Sequence, residues 1–171
     1  MIPVGADGFR SPNKMIPPTI NNTTGTAPEY KLLREDIEMP RDKERIPELW
    51  SRLQSRIPEI KNICGPAMGV VSGSAKSGCV NYAACVQVAD ANSFPENLDV
   101  ITVPAGDYAE FVHEGPVSEL FGTCDQIYRS WFPASGLLMG DGPLVEVYPE
   151  NFRGNEPNPR IRLLVSVKDR P

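Results

Sequence analysis

Histidine is almost missing from this chain: His113 is the only one in 171 residues. A histidine-based triad would have no choice of base, and His113, set between Val112 and Glu114 at an expected strand end, reads as a structural or surface residue. The four cysteines, Cys64, Cys79, Cys85 and Cys124, form no C-x-x-C pair and have no histidine near them in sequence to complete a zinc site. Cys85 and Cys124 lie in apolar runs and read as small buried residues, and the set reads as reduced thiols of a reducing cytosol. No run approaches the ~20 apolar residues of a membrane span, and no charged start followed by an apolar stretch marks a signal peptide. The expectation is a cytoplasmic protein without membrane contact. G-x-S-x-G, Walker A and G-x-G-x-x-G runs are also missing, and Gly140-Asp141-Gly142 reads as a turn with no phosphate loop around it. No cofactor and no metal are expected. Positive charge is in short supply, with 17 Lys and Arg against 22 Asp and Glu for a net −5. A nucleic-acid surface needs a basic face to meet phosphates, so direct nucleic-acid binding is excluded, whereas this balance suits a binder of cations.

What is present is ordinary globular material: 40% hydrophobic and 23% charged residues. A chain of this length buries roughly 70% of its unfolded surface, enough for one domain, or two small halves sharing a core, without a disulfide or metal staple. Residues 1–28 are rich in Pro, Asn, Thr and Gly and read as a flexible leader with room for one short strand. EYKLLREDIE (29–38) suits a first strand. In IPELWSRLQSRIP (46–58) the apolar residues Ile46, Leu49, Trp50, Leu53 and Ile57 fall on one helix face, with Pro47 in the first turn and Pro58 at the stop. MGVVSGS (68–74) and VNYAACVQV (80–88) read as two strands joined by the loop SAKSG, a hairpin.

The same order then recurs. DVITVPAGDYAEFVHE (99–114) is a strand interrupted at Pro104–Gly106. PVSELFGTCDQIYRSWF (116–132) keeps helical spacing through Val117, Leu120, Phe121, Cys124, Ile127, Tyr128 and Trp131, and Pro133 is expected to end it. Strands at 144–149 and 160–167 follow. Two βαββ units, about 29–90 and 98–168, predict an α+β fold. Each unit alone would leave an apolar sheet face uncovered; together they make one antiparallel sheet carrying two main helices, with a ligand cleft at the seam between the halves.

In DGPLVEVYPE (141–150) strand alternation points Val145 and Val147 one way and Leu144, Glu146 and Tyr148 the other. Pattern alone favours Glu146 as a solvent-facing glutamate; the sharper alternative is a carboxylate at the base of an aromatic pocket, where desolvation makes its charge costly unless a cation pairs with it. Trp50 and Trp131 lie on the apolar stripes of their helices and serve a core equally well. Tyr82 and Tyr108 sit on strands of different halves, where both could face the seam.

IPELWSRL (46–53), NYAACVQV (81–88), VPAGDYAEFVHEGP (103–116), IYRSWFPASG (127–136) and GPLVEVY (142–148) together resemble the GyrI-like small-molecule-binding family, the effector-binding domain of AraC-type and some MerR-type multidrug regulators. The resemblance spans roughly residues 29–167, so that 29–171 would be the effector-binding domain. It implies a ligand cleft between the halves with its acidic residue at Glu146. The ligands it implies are bulky, flat or amphipathic organic cations, walled by Tyr108, Trp131, Tyr82, Trp50 and Tyr148. Those regulators carry a DNA-binding domain ahead of this module, whereas only the short leader precedes it here, so a stand-alone binding or sequestering module is expected, with a protein partner or homodimer left open. Some relatives are hydrolases that open cyclopropane rings in DNA-alkylating natural products with a tyrosine and a glutamate. That alternative would use Tyr108 and Glu146 as catalytic residues. A third alternative is a protein-inhibiting module of the gyrase-inhibitor type.

Overall fold

The structure is a computed structural model, described here over residues 16–23, 29–35, 43–73, 80–89, 95–154 and 156–171. The strands are β1 (Ile16–Thr23), β2 (Glu29–Glu35), β3 (Ile63–Ser72), β4 (Asn81–Val88), β5 (Asp99–Thr102), β6 (Gly106–Glu114), β7 (Leu138–Val147) and β8 (Arg160–Lys168). The main helices are α1 (Ile46–Arg56) and α2 (Leu120–Gln126). All strands join one antiparallel sheet in the order β1-β6-β8-β7-β3-β4-β2-β5. The expected loop SAKSG lies outside the described residues, as does most of the segment read as a leader, which contributes β1.

The order exposes the duplication. β2-α1-β3-β4 is laid out β2-β4-β3, and β6-α2-β7-β8 repeats it as β6-β8-β7. The two halves meet where β3 pairs with β7, in the register Met68↔Val147, Gly69↔Glu146, Val70↔Val145 and Val71↔Leu144. The short strands that precede each unit are exchanged: β1 pairs with β6 of the second half, and β5 pairs with β2 of the first. This exchange forces curvature. β5 and β6 are six strand steps apart in the sheet, about 29 Å if it were flat. Only four chain steps separate Thr102 from Gly106, a reach of about 14 Å. The sheet therefore curls until its two ends approach, and it has an inner face and a helix-covered face.

Strand alternation sorts side chains between them. On the inner face Met68, Val70, Ala83, Cys85, Val103, Tyr108, Val145 and Val147 form one cluster. On the helix face there are two clusters. Leu49 and Leu53 of α1 pack with Tyr82, Ala84, Val86 and Val88. Leu120 and Ile127 of the second helical segment pack with Ala109, Phe111, Ile161 and Leu163. Among the described residues only Trp50 and Val71 pack against both, and they mark the seam.

Two local expectations are corrected. The second helical run does not end at Pro133: α2 passes into a π-helical segment, Ile127–Trp131, and then a last turn, α3 (Phe132–Ser135). The wider π turn takes up the proline ring, and the stop comes at Gly136, whose φ of 77° is a left-handed cap. Gly140-Asp141-Gly142 is not a turn but part of β7, within a register shift between Met139 and Leu144. A Cβ on Gly140 would overlap the Ser166 hydroxyl of β8, and the Gly142 N–H donates to that same oxygen at 3.2 Å, so the glycines serve close strand contact. Among the described residues no helix is long and apolar enough to cross a membrane.

Candidate functional site

The β3–β7 seam places a glycine beside a glutamate, and the site grows from that pair. Gly69 and Glu146 are directly opposed, and both point to the helix face. Tyr82, on the next strand, pairs with Val71, two residues along from Gly69. Because Gly69 has no side chain, the Tyr82 ring lies across it, and the Tyr82 hydroxyl donates to Glu146 Oε2 at 2.9 Å. A Cβ at position 69 would overlap both the Tyr82 hydroxyl and Glu146 Oε2. Tyr148 follows two residues after Glu146 on the same face, is held there by its N–H bond to the Ala67 carbonyl at 3.0 Å, and donates its hydroxyl to the same Oε2 at 2.8 Å.

α1 completes the arrangement. Trp50 Nε1 donates to the Tyr82 oxygen at 3.0 Å, and the Trp50 ring meets Tyr148 edge-on at 5.1 Å between centroids. On its other side Tyr148 contacts Phe152, at 4.6 Å between ring centroids. Phe152 comes from the β7–β8 loop, which closes on itself: its own N–H donates to the Pro149 carbonyl, and the N–H groups of Arg153 and Gly154 donate to the two carboxylate oxygens of Glu156. The result is a directional chain, Trp50 to Tyr82 to Glu146, met from the other side by Tyr148.

Glu146 is only 6% exposed, beside Leu144 and these aromatics. Burial raises its pKa, and the hydroxyls of Tyr148 and Tyr82 oppose the rise by stabilising the charged form. Burial, and then the neighbouring Glu146 charge, also push the phenols of Tyr82 and Tyr148 well above their usual range, so both stay protonated donors. Cys124, half-buried on α2, is pushed up to about 12 by the same two causes.

The two oxygens of Glu146 differ. Oε2 accepts both phenols. Among the described residues nothing donates to Oε1, yet every fully enclosed side-chain N or O there has a hydrogen-bond partner. Oε1 is therefore not fully enclosed by the protein.

Of the residues singled out from sequence, Glu146, Tyr82, Tyr148 and Trp50 meet in one cluster. Trp131 is on the same face but farther off, edge-on to Phe111 at 4.9 Å and to Phe132 at 5.0 Å, in the core cluster that also holds Tyr148. Tyr108 is the correction. It lies on the inner face with Val145 and Val147, and its hydroxyl donates to the Pro104 carbonyl at 3.0 Å. Its place on β6 gives it the opposite parity to Ala109 and Phe111, so the sheet itself stands between it and Glu146. It does not join the cluster around Glu146. Gly69 and Phe152 were not singled out from sequence. A glycine inside an apolar strand run was the available signal for the first; nothing in PENF marked the second.

His113 is fully buried and structural. Its Nε2–H donates to the Pro116 carbonyl at 3.1 Å, and its Nδ1 shares a hydrogen bond with the Thr123 hydroxyl at 2.7 Å, tying the end of β6 to α2.

Residues 27–168 match the family described as the GyrI-like small molecule binding domain. The transcriptional regulator BrlR of Pseudomonas aeruginosa is 28% identical over 124 residues, which cover 71% of this chain and 46% of BrlR; the chain thus spans about half the length of that relative. Among solved structures, SAV2435 bound to tetraphenylphosphonium superposes with a TM-score of 0.70 at 15% identity, covering 90% of this chain and 94% of that one. A hydrolase encoded by lin2189 from Listeria innocua superposes with a TM-score of 0.51 at 13% identity, covering 94% and 95%. At these identities the structural likenesses show the fold.

Proposed function

The chain belongs to the GyrI-like small-molecule-binding family, and from that premise we propose that it binds hydrophobic organic cations in the seam cleft, with Glu146 as the electrostatic anchor. One observation carries the reading: a carboxylate buried at the join of two apolar clusters, held by two phenols on one oxygen and open on the other. A fold gains little from a buried charge that no protein cation pairs with, whereas a cationic ligand would supply that partner. Trp50, Tyr148, Phe152 and Tyr82 give it aromatic surface for stacking and cation–π contact. SAV2435, which shares the fold, was solved with tetraphenylphosphonium, a cation of this class.

Binding without turnover is the reading the geometry favours, because the tyrosine expected to assist Glu146 as a base lies across the sheet. The test is a titration followed by Trp50 and Trp131 fluorescence, with a flat dye cation and a matched neutral compound, on the parent and on Glu146→Gln. Loss of one desolvated ion pair or cation–π contact, of order 2 kcal/mol, lowers cation affinity about thirtyfold and leaves the neutral compound unchanged. Equal cation preference in both proteins would refute the anchor. Chemical conversion of an electrophilic probe by the parent would refute the binding-only reading.

A further inference from the structure

We infer that the cleft prefers cations that carry an N–H, protonated amines or amidines, over quaternary onium ions of the same shape. The inference rests on the binding reading above and narrows its ligand class.

The asymmetry of Glu146 carries it. A carboxylate oxygen has two in-plane directions for hydrogen. At Oε2 both are taken, by Tyr82 and Tyr148. These donors are not free to turn towards a ligand: the Tyr82 oxygen is itself fixed by Trp50 Nε1, and Tyr148 is wedged between Trp50 and Phe152. Oε1 has no donor among the described residues and is not fully enclosed. The charge that remains to be met is therefore presented through one oxygen with its acceptor positions unused, in surroundings built of aromatic and aliphatic carbon and the Cys124 thiol.

A ligand that covers this oxygen excludes water from it. An alkylammonium or amidinium then places a hydrogen on Oε1 at about 2.8 Å between heavy atoms. A quaternary ion has its charge wrapped in carbon, stands off at the roughly 3.5–4 Å of van der Waals contact, and leaves a buried anionic acceptor without hydrogen. Its charge still attracts, so it binds better than a neutral isostere but less well than the donor. A hydrogen bond to a charged group sets the difference at about tenfold or more in Kd.

The experiment uses the full chain, isothermal calorimetry and three probes on one skeleton: (biphenylmethyl)dimethylammonium, its trimethylammonium counterpart, and neutral neopentylbiphenyl, which copies the shape of the quaternary ion. About pH 8 keeps the tertiary amine protonated, since it lies below the ordinary amine range. The expected order of affinity is tertiary ammonium, then quaternary, then neutral, with at least tenfold between the first two. Equal affinity for the two cations, both above the neutral probe, overturns the donor inference while leaving the cation reading in place. Equal affinity for all three, or binding by none, overturns both. In Glu146→Gln the gap between tertiary and quaternary probes should close; a gap that persists there assigns the acceptor to another group and overturns the inference.

Discussion

Substituting Gly69→Ala adds one methyl group at the centre of the site. The new Cβ overlaps two atoms at once, the Tyr82 hydroxyl and Glu146 Oε2. Both are ends of side chains, which elsewhere would move aside cheaply. Here they cannot both stay. Tyr82 is 3% exposed, and its ring is packed among Leu49, Leu53 and Val86 below α1. Oε1 of Glu146 is not fully enclosed, so the carboxylate is the part that can swing out. If the Tyr82 ring shifts instead, the core is overpacked, at about 1–3 kcal/mol. If Glu146 swings out, the Tyr82 and Tyr148 hydroxyls lose their shared acceptor, and each bond to a charged group is worth about 1.5–3 kcal/mol before relief of the burial penalty offsets part of that. The net expectation is a loss of about 1–3 kcal/mol in urea-melted stability with an unchanged m-value, together with loss of cation preference in the calorimetric series. Because Trp50 Nε1 bonds the Tyr82 oxygen, the Trp emission of the unliganded protein should shift as well. A Gly69→Ala protein with parental stability, parental emission and parental cation affinity would refute the packing of Tyr82 over Gly69 and the site built on it.

Three further outcomes follow from the same geometry. Glu146 has a raised pKa in the folded chain, so its proton uptake contributes stability that is fully present below the unfolded carboxylate pKa of about 4.3 and is lost as pH rises through the folded value; relative to Glu146→Gln, the parent should gain stability on acidification through that window, while its affinity for a permanently charged quaternary cation falls over the same range, as paired urea and calorimetric titrations would show. Tyr108→Phe removes only the bond to the Pro104 carbonyl on the inner face, so it should cost about 1 kcal/mol in stability and leave cation affinity within twofold; a large loss of binding would place Tyr108 in the cleft after all. The combined change Glu146→Met, Tyr82→Phe and Tyr148→Phe replaces the buried polar cluster with carbon and should fold within about 2 kcal/mol of the parent or above it yet show no preference for cations; a collapse in thermal stability would make the cluster a structural one.

Much of the fold was legible because periodicity changes cleanly along the chain. The stripe of Leu49 and Leu53, the alternation around Glu146 and the repeated βαββ order each follow from which side chains must be buried together. The exchange of β1 and β5 between halves was not legible, since strand partners beyond a hairpin leave no mark in local pattern. For the same reason Tyr108 was misplaced. Its strand was read correctly, but the face of β6 that meets the helices depends on the curl of the whole sheet. Pro133 and Gly140–Gly142 failed differently: each carries a strong local signal for a break, and tertiary contact, a π turn in one case and Ser166 in the other, absorbed it.

The duplication accounts for where a charge can be kept. Within either half, helix and sheet bury a continuous apolar cluster, and a carboxylate there would displace packing with no compensating partner. At the seam the two clusters meet, and among the described residues Trp50 and Val71 pack against both. The join carries one residue from each central strand, Gly69 and Glu146, and their roles are complementary. The glycine yields space, and the glutamate fills it with charge. Phenols from both halves then converge on one oxygen, Tyr82 from the first and Tyr148 from the second. A cluster that needs both repeats to assemble, and whose remaining valence opens outward, is better accounted for by a ligand than by the stability of either repeat.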